Sequence, residues 1–300
     1  MKLVISAIEE LIPGLKRFTF TGDEIKWSGP GSHLMFEIPG MDRTLKNTYS
    51  LIGEPIDSYQ IIVRRVEKSR GGSHWLHDHA QLGDSLTAHE PQNFFYPPRH
   101  AKRHLLLSAG IGLTPFLSYL KVPGLVYELH HCCKPEEAEA FRMLLPNTEN
   151  IVLHTNRNSL NLHALLSGQK LDTHLSVCGP ESFMNLAVAV AKSSGWPPSK
   201  LHLESFGSTR GGRPFVVHLK RSSKTINVGD DESLLEALEA AGFNPPCLCR
   251  GGACGACQAQ VLEGKPDHHD HYLSDDEKCS GKTMMICVSR ALTSEIVLDF

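Results

Sequence analysis

Apolar and polar residues alternate over short stretches in the first third of the chain. Ser85–His89 alternates strictly, and Leu34–Ile38, Thr48–Ile52 and Gln60–Val66 are short apolar-rich runs that likewise read as strands. A period of two puts one face of each stretch into a core and the other into solvent, as a half-buried strand requires. Pro39-Gly40, Gly53 and Gly83-Asp84 punctuate the stretches with residues that favour turns. The spacing predicts an antiparallel β-barrel or sandwich over residues 1–99, closed by Pro97-Pro98.

From His100 the rhythm changes. Short runs at Arg103–Ser108, Leu125–His131, Ile151–His154, Leu175–Cys178 and Lys200–Glu204 alternate with helical patterns at Pro135–Leu145, Leu160–Ser167 and Glu181–Ser193. Strands alternating with helices imply an α/β parallel-sheet domain of the nucleotide-binding type, over residues 100–207. The polar, glycine-rich tract around 208–214 has no periodicity and reads as a linker. After it, Phe215–Leu219 and Thr225–Val228 predict a hairpin, Ser233–Ala241 a helix with one apolar face, and Gln258–Leu262 and Glu295–Phe300 further strands of a third module, 215–300.

Composition narrows the classes. The 300 residues are 41% hydrophobic and 21% charged, with a net charge of −3. That is ordinary globular usage, too long for one core, and it gives no basic patch for nucleic acid or acidic lipid. Residues 1–10 lack a basic stretch followed by a long apolar one, and no 18-residue apolar run occurs, so neither a signal peptide nor a membrane span is expected. Nine cysteines without a disulfide framework suit a reducing compartment, and a cytoplasmic location is expected.

Four of those cysteines change the picture. Cys249, Cys254, Cys257 and Cys287 follow C-x4-C-x2-C…C, the spacing of a plant-type [2Fe–2S] cluster. Three thiolates from one short loop need backbone that turns sharply and lets N–H groups reach sulfur, and Gly251, Gly252 and Gly255 suit that need. A structural zinc site usually adds a second close pair of ligands, and none follows Cys257 at short range. The chemistry implied is single-electron transfer.

Two turns suggest a nucleotide. Ala109-Gly110-Ile111-Gly112 follows a strand and opens a helix at Thr114-Pro115, where backbone N–H groups and the helix N-terminus favour phosphate. Pro115 replaces the third glycine of the full dinucleotide fingerprint, so taken alone this is equally an ordinary tight turn. A second such turn, Cys178-Gly179-Pro180-Glu181, ends a later strand of the same sheet, at the edge where open α/β folds bind ligands.

Asn47-Thr48-Tyr49-Ser50-Leu51, Arg70-Gly71-Gly72-Ser73-His74-Trp75-Leu76-His77-Asp78 and the two glycine turns occur in an order that resembles the ferredoxin–NADP reductase superfamily. With a C-terminal ferredoxin module the whole chain resembles the phthalate dioxygenase reductase family, the reductase components of Rieske-type oxygenases. The resemblance implies a β-barrel flavin domain, an NAD(P) domain and a β-grasp ferredoxin domain. It implies electron flow from a nicotinamide through flavin and [2Fe–2S] to a Rieske-type non-haem iron oxygenase. FMN is expected before FAD, and NADH before NADPH, although Lys134 could meet a 2′-phosphate.

By the same resemblance, Tyr49 lies against the flavin ring, Ser50 bonds near N5, and Ile62, Val63 and Arg64 line the ring and ribityl chain. Gly71, Gly72 and Ser73 hold the flavin phosphate. Gly110, Ile111, Gly112, Thr114, Lys134, Cys178, Gly179 and Pro180 hold the pyridine nucleotide. Ser50, Thr114 and Phe206 stand nearest the chemistry, Phe206 as the aromatic cover of the flavin or, equally, a core phenylalanine. Asn47 departs from the family motif Arg-x-Tyr-Ser. Loss of that arginine removes a charge-assisted bond worth about 1.5–3 kcal/mol, which Arg43, Lys46, Arg65 or Arg70 would have to replace. A degenerate flavin site, leaving a plain iron–sulfur carrier, or a P450 as acceptor, are the alternatives. Asp267-His268-His269-Asp270-His271 reads as a polar surface loop rather than a metal site, Cys247 as a partly buried thiol, and the pairs His77-Asp78 and His202-Glu204 as structural.

Overall fold

The computed structural model describes all residues except 41–43, 68, 70, 157–158 and 207–211. It forms two compact units, residues 1–204 and 205–300.

The first unit begins with six antiparallel strands: β1 (Lys2–Ile12), β2 (Leu15–Thr21), β3 (His33–Pro39), β4 (Thr44–Ser50), β5 (Tyr59–Arg64) and β6 (Ser85–Ala88). Their order is β4-β3-β6-β1-β2-β5, and the sheet curls until β4 lies beside β5. Alternate residues point inward, so Leu3, Ile5, Phe18, Phe20, Leu34, Phe36, Ile38, Ile61 and Val63 share one barrel core. Helix α1 (Gly72–Asp78) covers one end, contributing Leu76 to that core. One strand is displaced from its sequence pattern. The stretch over Thr48–Ile52 starts earlier, at Thr44, and stops at Ser50. There the Leu51 N–H turns to the Ser32 carbonyl at 2.8 Å and the Ile52 N–H to Gln60 at 3.1 Å.

The same unit continues with parallel strands β7 (Arg103–Ala109), β8 (Tyr127–Cys132), β9 (Ile151–His154), β10 (Thr173–Cys178) and β11 (Leu201–Glu204), in the order β11-β10-β7-β8-β9. Helices α2 (Thr114–Tyr119), α3 (Ala138–Leu144), α4 (Leu162–Ser167) and α5 (Glu181–Ser193) connect them. Proline shapes α3: Pro135–Glu137 forms a separate 3-10 turn, so the helix is shorter than its apolar pattern. Asn161 delays α4, because its side chain accepts the Ala164 N–H at 3.0 Å as a cap. One sheet face packs on α4 and α5 through Leu105, Leu107, Leu175 and Val177. The other carries Leu106, Leu129 and Cys178 against Phe116 and Tyr119 of α2 and against Leu15 and Ile62 of the barrel.

The second unit is a β-grasp. Strands β12 (Phe215–Leu219), β13 (Lys224–Val228), β14 (Gln258–Glu263), β16 (Thr283–Met285) and β18 (Glu295–Leu298) lie in the order β13-β12-β18-β14-β16, with β12 and β18 parallel. A two-residue ladder pairs β15 (Pro266–Asp267) with β17 (Arg290–Ala291). Helix α6 (Leu234–Ala240) packs Leu234, Leu235 and Leu238 onto the sheet; its Ser233 and Glu236 form a reciprocal capping box. A second such box, Ser274 with Glu277, starts α7 (Asp275–Ser280). The linker expected at 208–214 falls largely outside the described residues. No helix among them is long and apolar enough to cross a membrane.

At Gly112 two chain segments meet without room for a side chain. A Cβ there would stand 2.4 Å from the Cys178 carbonyl oxygen and 2.7 Å from Gly179 Cα. Backbone atoms cannot swing aside as a side chain does. Gly112→Ala should therefore destabilise the first unit by about 1–3 kcal/mol, the cost of overpacking a close contact. Thermal unfolding of the purified variant checks this, and an unchanged midpoint would mean that the two turns separate freely.

Candidate active site and cluster-binding loop

Tyr49 and Ser50 end β4, where the barrel strand runs out beside β5. Tyr49 is half-buried, its ring 6.1 Å from Phe36. Ser50 is buried, and its Oγ has no hydrogen-bond partner among the described residues. A buried hydroxyl left unsatisfied carries a desolvation cost, so a group that completes it would be bound with benefit. Ile62 and Val63 point their side chains into the two cores, which leaves only their backbone to line a ligand.

The Gly71–Ser73 turn lies close to Asn47. A Cβ on Gly72 would come within 2.5 Å of the Asn47 Oδ1, so the Asn47 amide rests directly on this turn. Gly71 adopts φ 121°, a conformation open to glycine, and it precedes the first residue of α1. Ser69 accepts the Gly71 N–H at 3.1 Å, and Ser73 Oγ both donates to Ser69 at 3.0 Å and accepts from the Val66 N–H at 3.3 Å. The turn is thus ordered by its own side chains. Of the cations that could replace the family arginine, Arg65 is engaged by Asp78 at 2.9 and 3.1 Å, while Arg43 and Arg70 lie outside the described residues.

Arg64 is placed differently from its strand neighbours. Its Nη1 pairs with Glu137, whose carboxyl is held below its ordinary range by that bond against the opposing effect of burial. Its Nη2 is buried without a partner among the described residues and faces Gly110, where an added Cβ would be 3.9 Å away. One arm of the guanidinium is therefore fixed, and the other points at the first glycine turn. Thr114 is buried and donates to the Ile111 carbonyl at 3.0 Å, closing that turn, so its hydroxyl serves the backbone first. Lys134 is exposed and precedes the 3-10 turn that holds Glu136 and Glu137.

One group, set aside in the sequence as the structural partner of His202, has a different setting. Glu204 pairs in register with Cys178 across β10 and β11. Burial pushes its carboxyl up to about 8, and its Oε2 has no partner among the described residues. Tyr119 lies close by, its phenol raised well above the ordinary value by burial and then by Glu204 and Cys178. Burial also pushes up the Cys178 thiol, which is completely enclosed. Glu204 does not work with His202: that ring stacks on His174, 5.3 Å between centroids. The only signal for Glu204 was its register with a strand more than twenty residues earlier, which local pattern does not reveal. His77 and Asp78 likewise serve separate partners, the Val63 carbonyl at 2.9 Å and Arg65.

In the second unit, Phe206 is 39% exposed, which sets aside the core reading of this residue. The cysteine loop between α6 and β14 bends through Gly252 at φ 73° and Gly255 at φ 77°. A side chain on Gly255 would strike the Tyr272 ring at 2.3 Å, so this position excludes one on two grounds. The N–H groups of Gly251 and Ala253 donate to Cys249 Sγ, both at 3.4 Å. Cys257 Sγ lies 3.0 Å from Cys287 Sγ, and Cys249 interacts with Cys254. Among the described residues no three His, Cys, Asp or Glu side chains converge as for a single metal ion. Two sulfur pairs, with N–H donors aimed at sulfur, instead suit a binuclear cluster with two thiolates on each iron. The loop Asp267–His271 is occupied with structure: Asp270 is buried and accepts the N–H groups of Tyr272 and Leu273 at 3.2 and 2.8 Å.

A barrel with an incomplete polar rim, a parallel sheet with paired glycine turns and a β-grasp with two thiol pairs define a modular flavin and iron–sulfur oxidoreductase. Residues 217–292 match the family model described as a 2Fe-2S iron-sulfur cluster binding domain. The chain is 40% identical over 305 residues to the heme-dependent oxidative N-demethylase beta subunit of Ectopseudomonas mendocina, covering 98% of this chain and 97% of the relative. It is 37% identical to the carnitine monooxygenase reductase subunit of Escherichia coli, covering 98% and 97%. The solved structure of a phthalate dioxygenase reductase, described as modular for electron transfer from pyridine nucleotides to [2Fe-2S], superposes with a TM-score of 0.80 at 30% identity, over 100% of this chain and 98% of the other. The chain belongs to the phthalate dioxygenase reductase family, and is an NAD(P)H-dependent oxidoreductase carrying flavin and a [2Fe–2S] cluster.

The Glu204 carboxyl makes stability depend on pH. Its folded value of about 8 exceeds the ordinary 4.5, so in that window unfolding releases a proton. The contribution is fully present at low pH, declines as pH rises through the window and levels off above about 8. Glu204→Gln removes the titration. Its melting temperature should gain on the parent between about pH 5 and pH 9, and parallel melting curves would show that the group titrates normally.

Proposed function

We propose that this protein takes hydride from NADH at an FMN and passes electrons one at a time through [2Fe–2S] to a separate oxygenase component, in the cytoplasm. The division of labour is 1–99 for the flavin, 100–207 for the nucleotide, 208–214 as linker and 215–300 for the cluster. The observation that carries this reading is the pair of thiol pairs, Cys249 with Cys254 and Cys257 with Cys287, in a chain whose relatives match over nearly their whole length. When bound, the flavin converts a two-electron hydride into single electrons.

The protein's own work is binding and orientation. Ser50 offers its unpartnered hydroxyl near the reacting edge of the ring, and Tyr49 offers an aromatic face. Asn47 and the Gly71–Ser73 turn offer an amide and backbone N–H groups to the single phosphate of FMN. Gly110, Gly112, Cys178, Gly179 and Pro180 bring backbone close to the pyridine nucleotide, and Arg64 Nη2 faces the same turn. By the family resemblance, Phe206 would be the aromatic that covers the flavin ring where the nicotinamide must stack. The family resemblance leans towards NADH, and the exposed Glu136 near Lys134 weighs against an added 2′-phosphate. Glu204 stays largely protonated at neutral pH and keeps an unpaired charge away from the site. Hydride transfer needs stacked rings rather than an acid or a nucleophile, which agrees with the lack of demand on Thr114.

The acceptor is an oxygenase component, of Rieske type on the family resemblance. A haem-containing oxygenase is the second reading, favoured by one observation: the relative at 40% identity is a subunit of a heme-dependent N-demethylase. NADH-driven turnover with purified Rieske and haem oxygenases as alternative acceptors separates the two.

The flavin identity is checked by acid extraction and chromatography against standards. FMN should be the main species, and FAD would overturn this reading of the phosphate turn. Electron order is checked with Cys254→Ser. Loss of a thiolate ligand should abolish or weaken the cluster while leaving flavin and NADH sites in the other modules. The variant should still oxidise NADH with a small acceptor that takes electrons from flavin, and should fail to reduce cytochrome c. Intact cytochrome c reduction would make the flavin the exit point.

A further inference from the structure

A cavity of about 700 Å³ opens in the first unit, lined by barrel residues and by the start of the parallel sheet. That volume is within the range of small-molecule sites. Ser28–Pro30 and Asn93 form one part of the lining, and the loop Val122–Val126 that leads into β8 forms another. Hydrogen bonds hold both in place. Asn93 donates its amide N–H groups to the Ser28 and Pro30 carbonyls at 3.0 and 2.9 Å, and the His104 N–H donates to the Val126 carbonyl at 2.9 Å. The Ala101 N–H closes a turn on the Pro98 carbonyl at 3.1 Å, and that turn carries Arg99 and His100, both exposed and both lining the cavity.

The lining is one-sided in charge. The chain has 33 acidic and 30 basic residues, yet the charged residues of this cavity, Arg99 and Lys102, are both basic. Lys102 meets Asp172 at 3.1 Å in an exposed pair that water screens, and Arg99 has no ion pair among the described residues. His104 also lines the cavity. It is only 4% exposed, and its Nδ1 has no partner among the described residues. Burial holds its pKa below the ordinary value, so the ring is neutral near pH 7. A buried imidazole with unspent hydrogen-bonding capacity carries a desolvation cost that a ligand group relieves. Pro98, Leu125 and Val126 supply apolar surface to the same cavity.

We propose that this cavity binds a small organic carboxylate, with its apolar body against Pro98, Leu125 and Val126 and its charged end met by Arg99 and His104. The site is separate from the nucleotide edge. His104 stands at the start of β7 and Gly110 follows its end, so strand on the order of 20 Å long lies between them. Binding is non-covalent and does not depend on the electron-transfer reading.

Calorimetry on the full-length holoenzyme tests it, with NAD+ in excess so that the nucleotide edge is filled. Benzoate carries both the charge and the apolar body, benzyl alcohol the body alone and acetate the charge alone. Benzoate should bind saturably, and at least about tenfold more tightly than either of the others, because each of them lacks one of the two contributions. Arg99→Glu should weaken benzoate by at least about tenfold. Arg99 is exposed, so flavin content and NADH oxidation with a small flavin acceptor should be unchanged in that variant. His104→Phe keeps an aromatic ring but removes both nitrogens, and should weaken benzoate similarly, with the melting temperature as its folding control. The proposal is overturned if benzoate does not saturate, if acetate or benzyl alcohol binds as tightly, or if either folded variant binds benzoate like the parent.

Discussion

The registry of the parallel sheet is the constraint on which the first unit depends. Glu204, Cys178, Ser108 and His131 fall on one level across four neighbouring strands, because each strand pairs with the next without a slip. All four consequently point to the face that packs on α2 and the barrel. A slip of one residue would turn them to the α4 and α5 side and bring Leu107 and Val177 round in their place. The same registry brings the ends of β7 and β10 together, so that Gly112 and Cys178 meet backbone to backbone. The nucleotide edge is thus shaped by strand alignment, and the glycine only permits what the alignment demands.

That row is polar, yet Ser108, His131 and Cys178 are buried and Glu204 is half-buried, and the protein handles each member differently. Ser108 shares a hydrogen with His131 Nδ1 at 2.9 Å, and burial pushes the ring's pKa to about 3, which keeps it neutral. Cys178 and Tyr119 stay protonated for the same reason. Glu204 does so up to about 8. Removing charge rather than pairing it is how a region poor in cations avoids the cost of a buried carboxylate. Arg64 and Glu137 show the opposite solution, with one guanidinium arm paired and the other turned toward Gly110.

What could be read from the sequence follows from how local each feature is. The cysteine spacing, the two glycine turns and the strand–helix rhythm are written in adjacent residues, and the β-grasp, parallel sheet and barrel all appear in the structure. Ile151–His154, Glu181–Ser193 and Phe215–Leu219 have the same bounds in sequence pattern and structure, because one face of each is uniformly apolar. Features that depend on a distant partner were not legible. Glu204 looked like a neighbour of His202 but belongs with Cys178. Asn47 looked like a lost arginine, and nothing nearby in sequence shows that its amide rests on Gly72. Phe206 was evenly balanced between covering the flavin and filling a core, and its exposure sets aside the core.

The ferredoxin unit shows why a cluster loop can be so irregular and still be held. The loop has almost no regular hydrogen bonding of its own, yet both of its ends are fixed to a packed core. Leu234, Leu235 and Leu238 of α6 anchor it upstream, and Ala259 and Val261 of β14 anchor it downstream. The far thiol, Cys287, comes two residues after β16, and the intervening Ile286 N–H reaches back to the Cys257 carbonyl at 3.2 Å. Arg290 completes the clamp by donating to the carbonyls of Arg213, Gly229 and Glu232 at 3.2, 2.8 and 2.6 Å, with its guanidinium 5.2 Å from the Phe215 ring centroid. One buried cation thus satisfies three carbonyls near the entry of the unit and ties them to the segment that carries the fourth thiol. The sulfurs are placed by contacts made outside the loop, so the loop itself is free to spend its backbone N–H groups on sulfur.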